Sequence, residues 1–404
     1  MDASLILIVI GTLFTGAANS LLTKYQDNQC VRHCNSEDEN PQFFNQPGIQ
    51  TLQMFLGEWS MFFVYLGYRW YYSTSYIQLD DDRGRSTTAE EEEEEEVGGS
   101  VVSIFKHWKL AIPAICDLSC TTLLNIGLIY VPVSIYQMTR GSVVLFVAVL
   151  SVIFLNRRIS KLHWIALLVI TLGVGIVGLS GSQTKPKATS HRSLSVDESS
   201  SAVNPGLVVF GILLIIGATS LQGVQFVVEE HILAKQPVIP LQLVYIEGFF
   251  GAVTIVLFMV VASFISKAVE SPEDFAQSPF NIVEAFSQLL GNRIVLVTSL
   301  LIMASIASFN FCGLSITHRV SATARSTVDT CRTLIVWLFA VVVMRWEEFK
   351  FLQMVGFATL VFGTLWFNGV IEVDKWGVIP SWLKDEVDDE RTSIDEALEE
   401  RLIS

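Results

Sequence analysis

The 404-residue sequence predicts an all-α membrane protein of ten transmembrane helices, arranged as two inverted five-helix repeats. Three observations carry that prediction. Hydrophobic residues make up 51% of the chain and charged residues only 16%, with a mean hydropathy of +0.49. Soluble domains carry about a quarter charged residues, so an ordinary water-soluble enzyme is excluded. Ten apolar stretches are each long enough to cross a hydrocarbon core about 30 Å thick. Finally, the pattern of residues 134–179 recurs in residues 323–368 at an offset of about 189.

The stretches run 4–24, 49–72, 109–131, 133–155, 162–182, 205–228, 241–265, 293–315, 321–344 and 351–371. In lipid every backbone amide must be bonded internally, so these are helices; the short alternating strands of a barrel are absent. No basic residue precedes the first stretch, which therefore reads as a retained helix rather than a cleaved signal. Residues 1–182 form the first repeat, with an acidic loop over 73–107. Residues 183–204 are a Ser/Lys/Pro-rich linker, 205–371 the second repeat, and 372–404 an acidic cytosolic tail. Phe280–Leu290 is apolar-periodic, an interfacial-helix pattern.

The net charge of −14 owes much to Glu90–Glu96 and to the tail, both read as solvated, disordered segments. Nothing basic enough for nucleic acid is present. With the N-terminus cytosolic, Lys and Arg fall fourteen to the cytosolic side and nine opposite, three staying within spans; both termini are then cytosolic. In the repeat register Arg140 falls opposite Asp329.

The chemistry lies in ionisable residues within apolar spans: Glu58, Asp117, Arg140, Glu247, Arg325, Asp329 and Arg332. Each costs roughly 3 kcal/mol near the bilayer centre, so seven facing lipid would exceed the typical stability of about 5–15 kcal/mol. They must be paired or line a water-filled cavity. Arg325, Asp329 and Arg332 are spaced i,i+4 and i,i+3 along one helix face, as are Gln137 and Arg140 at i,i+3. The substrate-binding set is Gln137, Arg140, Asp329, Arg332, Glu58 and Asp117, with Asp329 and Glu58 as proton-coupling candidates. Three cations against four anions lack the surplus a polyanion wants, which favours a zwitterionic, cationic or small peptide-like solute. Buried ion pairs that merely hold helices together are the alternative for any one residue.

Other patterns carry less. Gly173, Gly175 and Gly178 match G-x-G-x-x-G, but inside an apolar span this reads as helix packing, not a nucleotide loop. Pro113 and Pro132 either kink helices or mark ends. Asn19, Asn125 and Asn310 make interhelix bonds or contact substrate. Cys30 and Cys34 share a non-cytosolic loop, as a disulfide or as two thiols. Glu229, Glu230 and His231 resemble a metal cluster but read as a solvated helix end beside Lys235. No zinc spacing, Ser/His/Asp set or P-loop appears, so no metal, cofactor or enzymatic activity is expected.

Several blocks resemble the solute carrier 35 subfamily F group of the drug/metabolite transporter superfamily. They are "MFLGEWS" at Met54–Ser60, "CDLSCTTLLNIGLIYVPVSIYQMTRGSVVLF" at Cys116–Phe146, "VVEEHI" at Val227–Ile232, "YIEGFFG" at Tyr245–Gly251 and "FNFCGLSITHRVSATARSTVDTCRTLIVW" at Phe309–Trp337. They occur in the group's order across nearly the whole chain. The resemblance implies ten helices in inverted repeats and cytosolic termini. It also implies lysosomal or mitochondrial membranes and an adenine nucleotide translocase partner, but supplies no substrate. The glutamate run departs from the group's pattern. The tail's "LEERLI", Leu398–Ile403, has Leu398 where a dileucine sorting signal wants an acid.

The sequence therefore reads as a secondary transporter moving a small organic solute across an endomembrane, lysosomal or vacuolar, by alternating access. Proton coupling and a homodimer are left open. The alternatives are a nucleotide-sugar antiporter of Golgi or endoplasmic reticulum and a non-transporting membrane adaptor.

Overall fold

The computed structural model describes residues 3–32, 34, 42–44, 46–81, 111–131, 133–155, 161–182, 205–235, 238–269, 275, 278, 280–342, 351–367 and 371. The glutamate run, the linker 183–204 and the tail 372–404 lie outside the described residues, as does Pro132.

In chain order, α1 is Ala3–Asp27, α2 Pro47–Asp81, α3 Ala111–Tyr130, α4 Val133–Arg140, α5 Val143–Leu155 and α6 Lys161–Ser182. Then come α7 Pro205–Lys235, α8 Pro240–Val269, α9 Ile282–Gly291, α10 Arg293–Arg319, α11 Ala322–Val342 and α12 Phe351–Phe367. A short hairpin of β1 (Cys30–Arg32) and β2 (Gln42–Phe43) joins α1 to α2. Helix occupies every one of the ten apolar stretches. Among the described residues, six windows are long and apolar enough to cross a membrane by length and composition: α1, α7, α8, α10, residues 111–128 of α3 and residues 138–155 across α4 and α5.

Local chemistry explains the ends. Pro47, Pro205 and Pro240 open their helices at the first position, where the missing N–H costs nothing. Pro113 sits in the first turn of α3, so it marks a start rather than a kink. Asn292 caps α10, its side-chain oxygen accepting from the Ile294 amide at 2.9 Å. Within spans, hydroxyls return to their own helix: Thr12 donates to the Ile8 carbonyl at 2.9 Å and Ser299 to Val295 at 2.7 Å.

The fourth stretch differs from its reading as one helix: it breaks at Gly141–Ser142. There the Gly141 and Ser142 amides donate three residues back, to the Met138 and Thr139 carbonyls at 3.1 and 3.0 Å. Gly141 lies against Leu360 and the Met138 carbonyl, where a Cβ would be cramped at 3.1 Å.

The chain packs as two units, with boundaries inside α3 and α7. The first comprises residues 1–122 and 228–321. In it α2 and α8 run antiparallel: Phe55 meets Gly251, Phe62 meets Tyr245, and Gln242 donates to the Tyr65 hydroxyl at 3.1 Å. Gly248 rests on the backbone of Trp59, where any Cβ would collide. The α1 and α10 pair is antiparallel too, with Arg319 donating to Ser4 at 2.9 Å and Gln26 to Ser299 at 2.7 Å.

The second unit comprises residues 123–227 and 322–404. Here α6 and α12 are antiparallel and close, with Ile170 against Gly363, Gly173 against Leu360 and Val177 against Gly356. Gly173 of the glycine motif thus packs helices as expected, but Gly175 has nothing within 4 Å. The core gathers Val143, Val144, Val147, Ala166, Ile170 and Phe226.

Candidate functional site

The charged side chains divide between the units. In the second unit α11 carries Arg325, Asp329 and Arg332, exposed by only 3%, 2% and 4%. Arg332 Nε stands 2.7 Å from Asp329 Oδ1, an ion pair rather than an aligned hydrogen bond. The Arg325 guanidinium lies over the Phe226 ring at 4.2 Å, a cation–π contact from α11 to α7. Arg140, the last residue of α4, is half-buried, 5.7 Å above Tyr136 and within electrostatic reach of Arg332. Ser326, Thr327, Thr330 and Thr333 are all buried beside them. The Thr330 hydroxyl donates to the Ser326 carbonyl at 3.0 Å and reaches the Gly141 carbonyl of the helix break at 3.4 Å. The Gln137 side chain lies outside the described residues.

Arg140 on α4 and Arg325, Asp329 and Arg332 on α11 thus belong to two elements that meet where Thr330 reaches Gly141. Guanidinium forks match carboxylate and phosphate oxygens, and burial strengthens that attraction.

The first unit is the opposite. Glu58 of α2 is 3% exposed and accepts from Asn310 Nδ2 of α10 at 2.6 Å. Glu247 of α8 is also buried, and its neighbour Gly248 presses on Glu58 and Trp59. Asp117 is half-buried on α3. None of the described Lys and Arg residues of this unit is buried. Its embedded charges are therefore carboxylates.

The reading of Glu229 and Glu230 as a solvated helix end is overturned: they are buried at 0% and 7%, and only His231 is exposed. The α7 helix continues seven residues past its expected end, and Ile232 and Leu233 after the acids are core residues. Those two apolar residues were the available signal. Glu247 was legible as an intramembrane charge, but its place beside Glu58 was not. Of the asparagines, Asn310 makes the interhelix bond, while the buried Asn19 oxygen has no hydrogen-bond partner among the described residues. Cys30 and Cys34, left open by the sequence, form a disulfide.

Comparison with known proteins follows the same lines. The nucleotide-sugar transporter family model matches residues 80–270. Solute carrier family 35 member F6 of Mus musculus is 33% identical over 362 residues, 89% of this chain and 87% of that one. The Homo sapiens protein of the same name is 32% identical over the same shares. An uncharacterised protein of Schizosaccharomyces pombe is 32% identical, covering 91% of this chain and 98% of its own.

Proposed function

This chain belongs to the solute carrier 35 family, in the group of member F6, a family of multi-pass membrane transporters, and from that premise we propose how it works. It is a secondary transporter that moves a small organic solute across a lysosomal or vacuolar membrane by alternating access. Ten helices form two inverted repeats, residues 1–182 and 205–371.

The contact between Thr330 and Gly141 carries this reading. The two positions are 189 residues apart, the offset of the repeat. A residue that touches its own repeat counterpart lies on the axis relating the two halves. Trp59 and Gly248, whose numbers differ by the same 189, also touch. Repeats inverted about an axis in the membrane plane make counterpart helices antiparallel, as α2 is to α8 and α6 to α12. Arg140 and Asp329 are then counterparts flanking one axial contact, and Glu58 and Glu247 flank the other.

The solute's anionic group is held by Arg140 and Arg332, with Gln137 beside them. Asp329 holds Arg332 in place, and one of Asp329, Glu58 or Asp117 receives a cationic group or a proton. The break at Gly141–Ser142 supports this assignment, because transporters place substrate at interrupted helices. The disulfide-closed loop 30–34 suits the oxidising, non-cytosolic side, with both termini cytosolic.

One observation favours a second reading. The arginine surplus of the second unit, taken with the family model over residues 80–270, fits the diphosphate of a nucleotide sugar. Proteoliposomes decide between the two. The first reading expects uptake of a zwitterionic or cationic solute, found by metabolite profiling of organelles with and without the protein. That uptake should lose its pH dependence in Asp329→Asn if Asp329 carries the proton, and in Glu58→Gln if Glu58 does. Robust uptake of UDP- or GDP-sugars that survives Asp329→Asn would overturn it in favour of antiport.

A further inference from the structure

The α9 helix is turned inside out for a helix in water. Val283, Phe286 and Leu290 share one face at i, i+3 and i+7 and are exposed by 80%, 39% and 67%. Phe280, just before the helix, adds 47% exposure. Ser287 shares that exposed side, but the longer polar side chains Glu284 and Gln288 turn toward the hairpin side. Glu284 pairs with Arg32 of the hairpin at 2.8 Å, its side chain 13% exposed. Gln288 Nε2 donates to Glu284 Oε1 at 2.8 Å, and Gln46 Nε2 donates to Gln288 Oε1 at 3.3 Å. Ala285 and Leu289 close a small core with Phe44, Ile49 and Val295. A surface helix in water shows the reverse pattern, apolar in and polar out.

We propose that α9 lies in the head-group region of the bilayer, on the side of the disulfide hairpin, with Phe280, Val283, Phe286 and Leu290 seated in lipid. Its position fixes its depth. Asn292 alone separates it from the span α10, caps that helix, and donates from Nδ2 to the Cys30 carbonyl at 3.0 Å. The end of α9 is thus tied to the membrane surface where α10 begins. The apolar stripe also continues on both neighbours. Phe264, Ile265 and Val269 point outward at the end of α8, and Ile294, Val297 and Leu300 at the start of α10. Arg32 of the hairpin, whose first strand carries the Cys30–Cys34 disulfide, and Gln46, just before α2, clamp the helix's rotation. A second copy of the chain is a poorer occupant, since four side chains fall far short of the roughly 800 Å² per partner of a stable dimer.

The test uses the full-length protein in phosphatidylcholine nanodiscs, one copy per disc. A genetically encoded fluorescent amino acid replaces Val283, Leu290, Leu300 or Asn28 in turn. Acyl-brominated phosphatidylcholine should quench the probe at Val283 and Leu290 to at least half the extent seen at Leu300. Aqueous iodide should quench at Asn28 and spare Val283. Iodide quenching at Val283 equal to that at Asn28, without quenching by brominated lipid, overturns the proposal. So does a photo-cross-link between two copies through position 283 in liposomes together with no lipid quenching. Monodisperse elution and an intact disulfide verify the fold of each variant. No transported solute enters the readout, so the outcome is separate from that of the transport reading.

Discussion

The two packing units share one construction and carry opposite chemistry. Each joins helices from both halves of the chain, and each contains a contact between positions 189 apart, Trp59 with Gly248 in one and Gly141 with Thr330 in the other. Yet the first buries Glu58, Glu229, Glu230 and Glu247 and no arginine or lysine among its described residues. The second buries Arg325 and Arg332 with Asp329 and half-buries Arg140. The charge sum over all the spans, three cations against four anions, conceals this. Electrostatic attraction falls off with distance, so a ligand responds to the charges around it and not to the chain's total. The argument against a polyanionic solute therefore loses force in the second unit, where arginines outnumber acids among the described buried and half-buried residues.

The largest expected effect comes from breaking that unit's ion pair. Arg332→Gln leaves Asp329 at 2% exposure beside a neutral amide. Removing one partner of a buried pair costs about 3–5 kcal/mol. Thermal unfolding in detergent should show a large drop in Tm for Arg332→Gln. The double change Arg332→Met with Asp329→Leu should recover most of it. An equally unstable double variant would mean that the helix depends on Arg332 for more than the pair. Arg140→Gln is the contrast, because Arg140 is half-buried: Tm should hardly move while solute affinity falls.

The next effect tests the axial contact of the first unit. A methyl group on Gly248 meets the Trp59 backbone and Glu58, none of which is the free end of a flexible chain. Gly248→Ala should destabilise by about 1–3 kcal/mol, the usual cost of overpacking. Gly175→Ala, with nothing within 4 Å, should be neutral or stabilise by up to about 1 kcal/mol, as alanine is the better helix former. Equal Tm shifts for the two would sink the close packing of α2 on α8.

These cases also show what the sequence made legible. Composition and apolar length located helix in all ten stretches, because burial in lipid demands helix over long windows. Helical spacing allowed Asp329 to pair with Arg325 at i,i+4 or Arg332 at i,i+3, and the ion pair with Arg332 is formed. What depends on tertiary packing stayed hidden. The break at Gly141–Ser142 lies inside a stretch long enough to read as one span, and Gly141 packs there against Leu360, more than 200 residues away. Glu229 and Glu230 looked solvated because two adjacent acids beside a histidine match a helix end, while the partners that enclose them come from elsewhere. The polar, inward contacts of α9 were equally unreadable, since Arg32 of the hairpin and Gln46 just before α2 reach it from some 250 residues earlier.

The smallest expected effect on stability is the most informative about mechanism. Glu58 Oε1 accepts a hydrogen bond from Asn310 Nδ2 at 2.6 Å. Glu58→Gln keeps an oxygen there that accepts the same bond, so unfolding should shift by less than about 1 kcal/mol. Its effect on transport depends on which unit handles protons. A glutamine is neutral at every pH, so if Glu58 carries a proton in each cycle, uptake driven by a pH gradient should fall to the level seen without one. Asp329→Asn in the second unit would then keep pH dependence and lose solute affinity, because Arg332 would be left without its counter-charge. If instead Asp329→Asn flattens the pH profile and Glu58→Gln leaves it intact, the proton site moves to the arginine-rich unit. The division of labour between an acid-lined proton site and an arginine-lined anion site would then be wrong. Measuring both variants at matched expression, over the same pH series in proteoliposomes, separates the two outcomes.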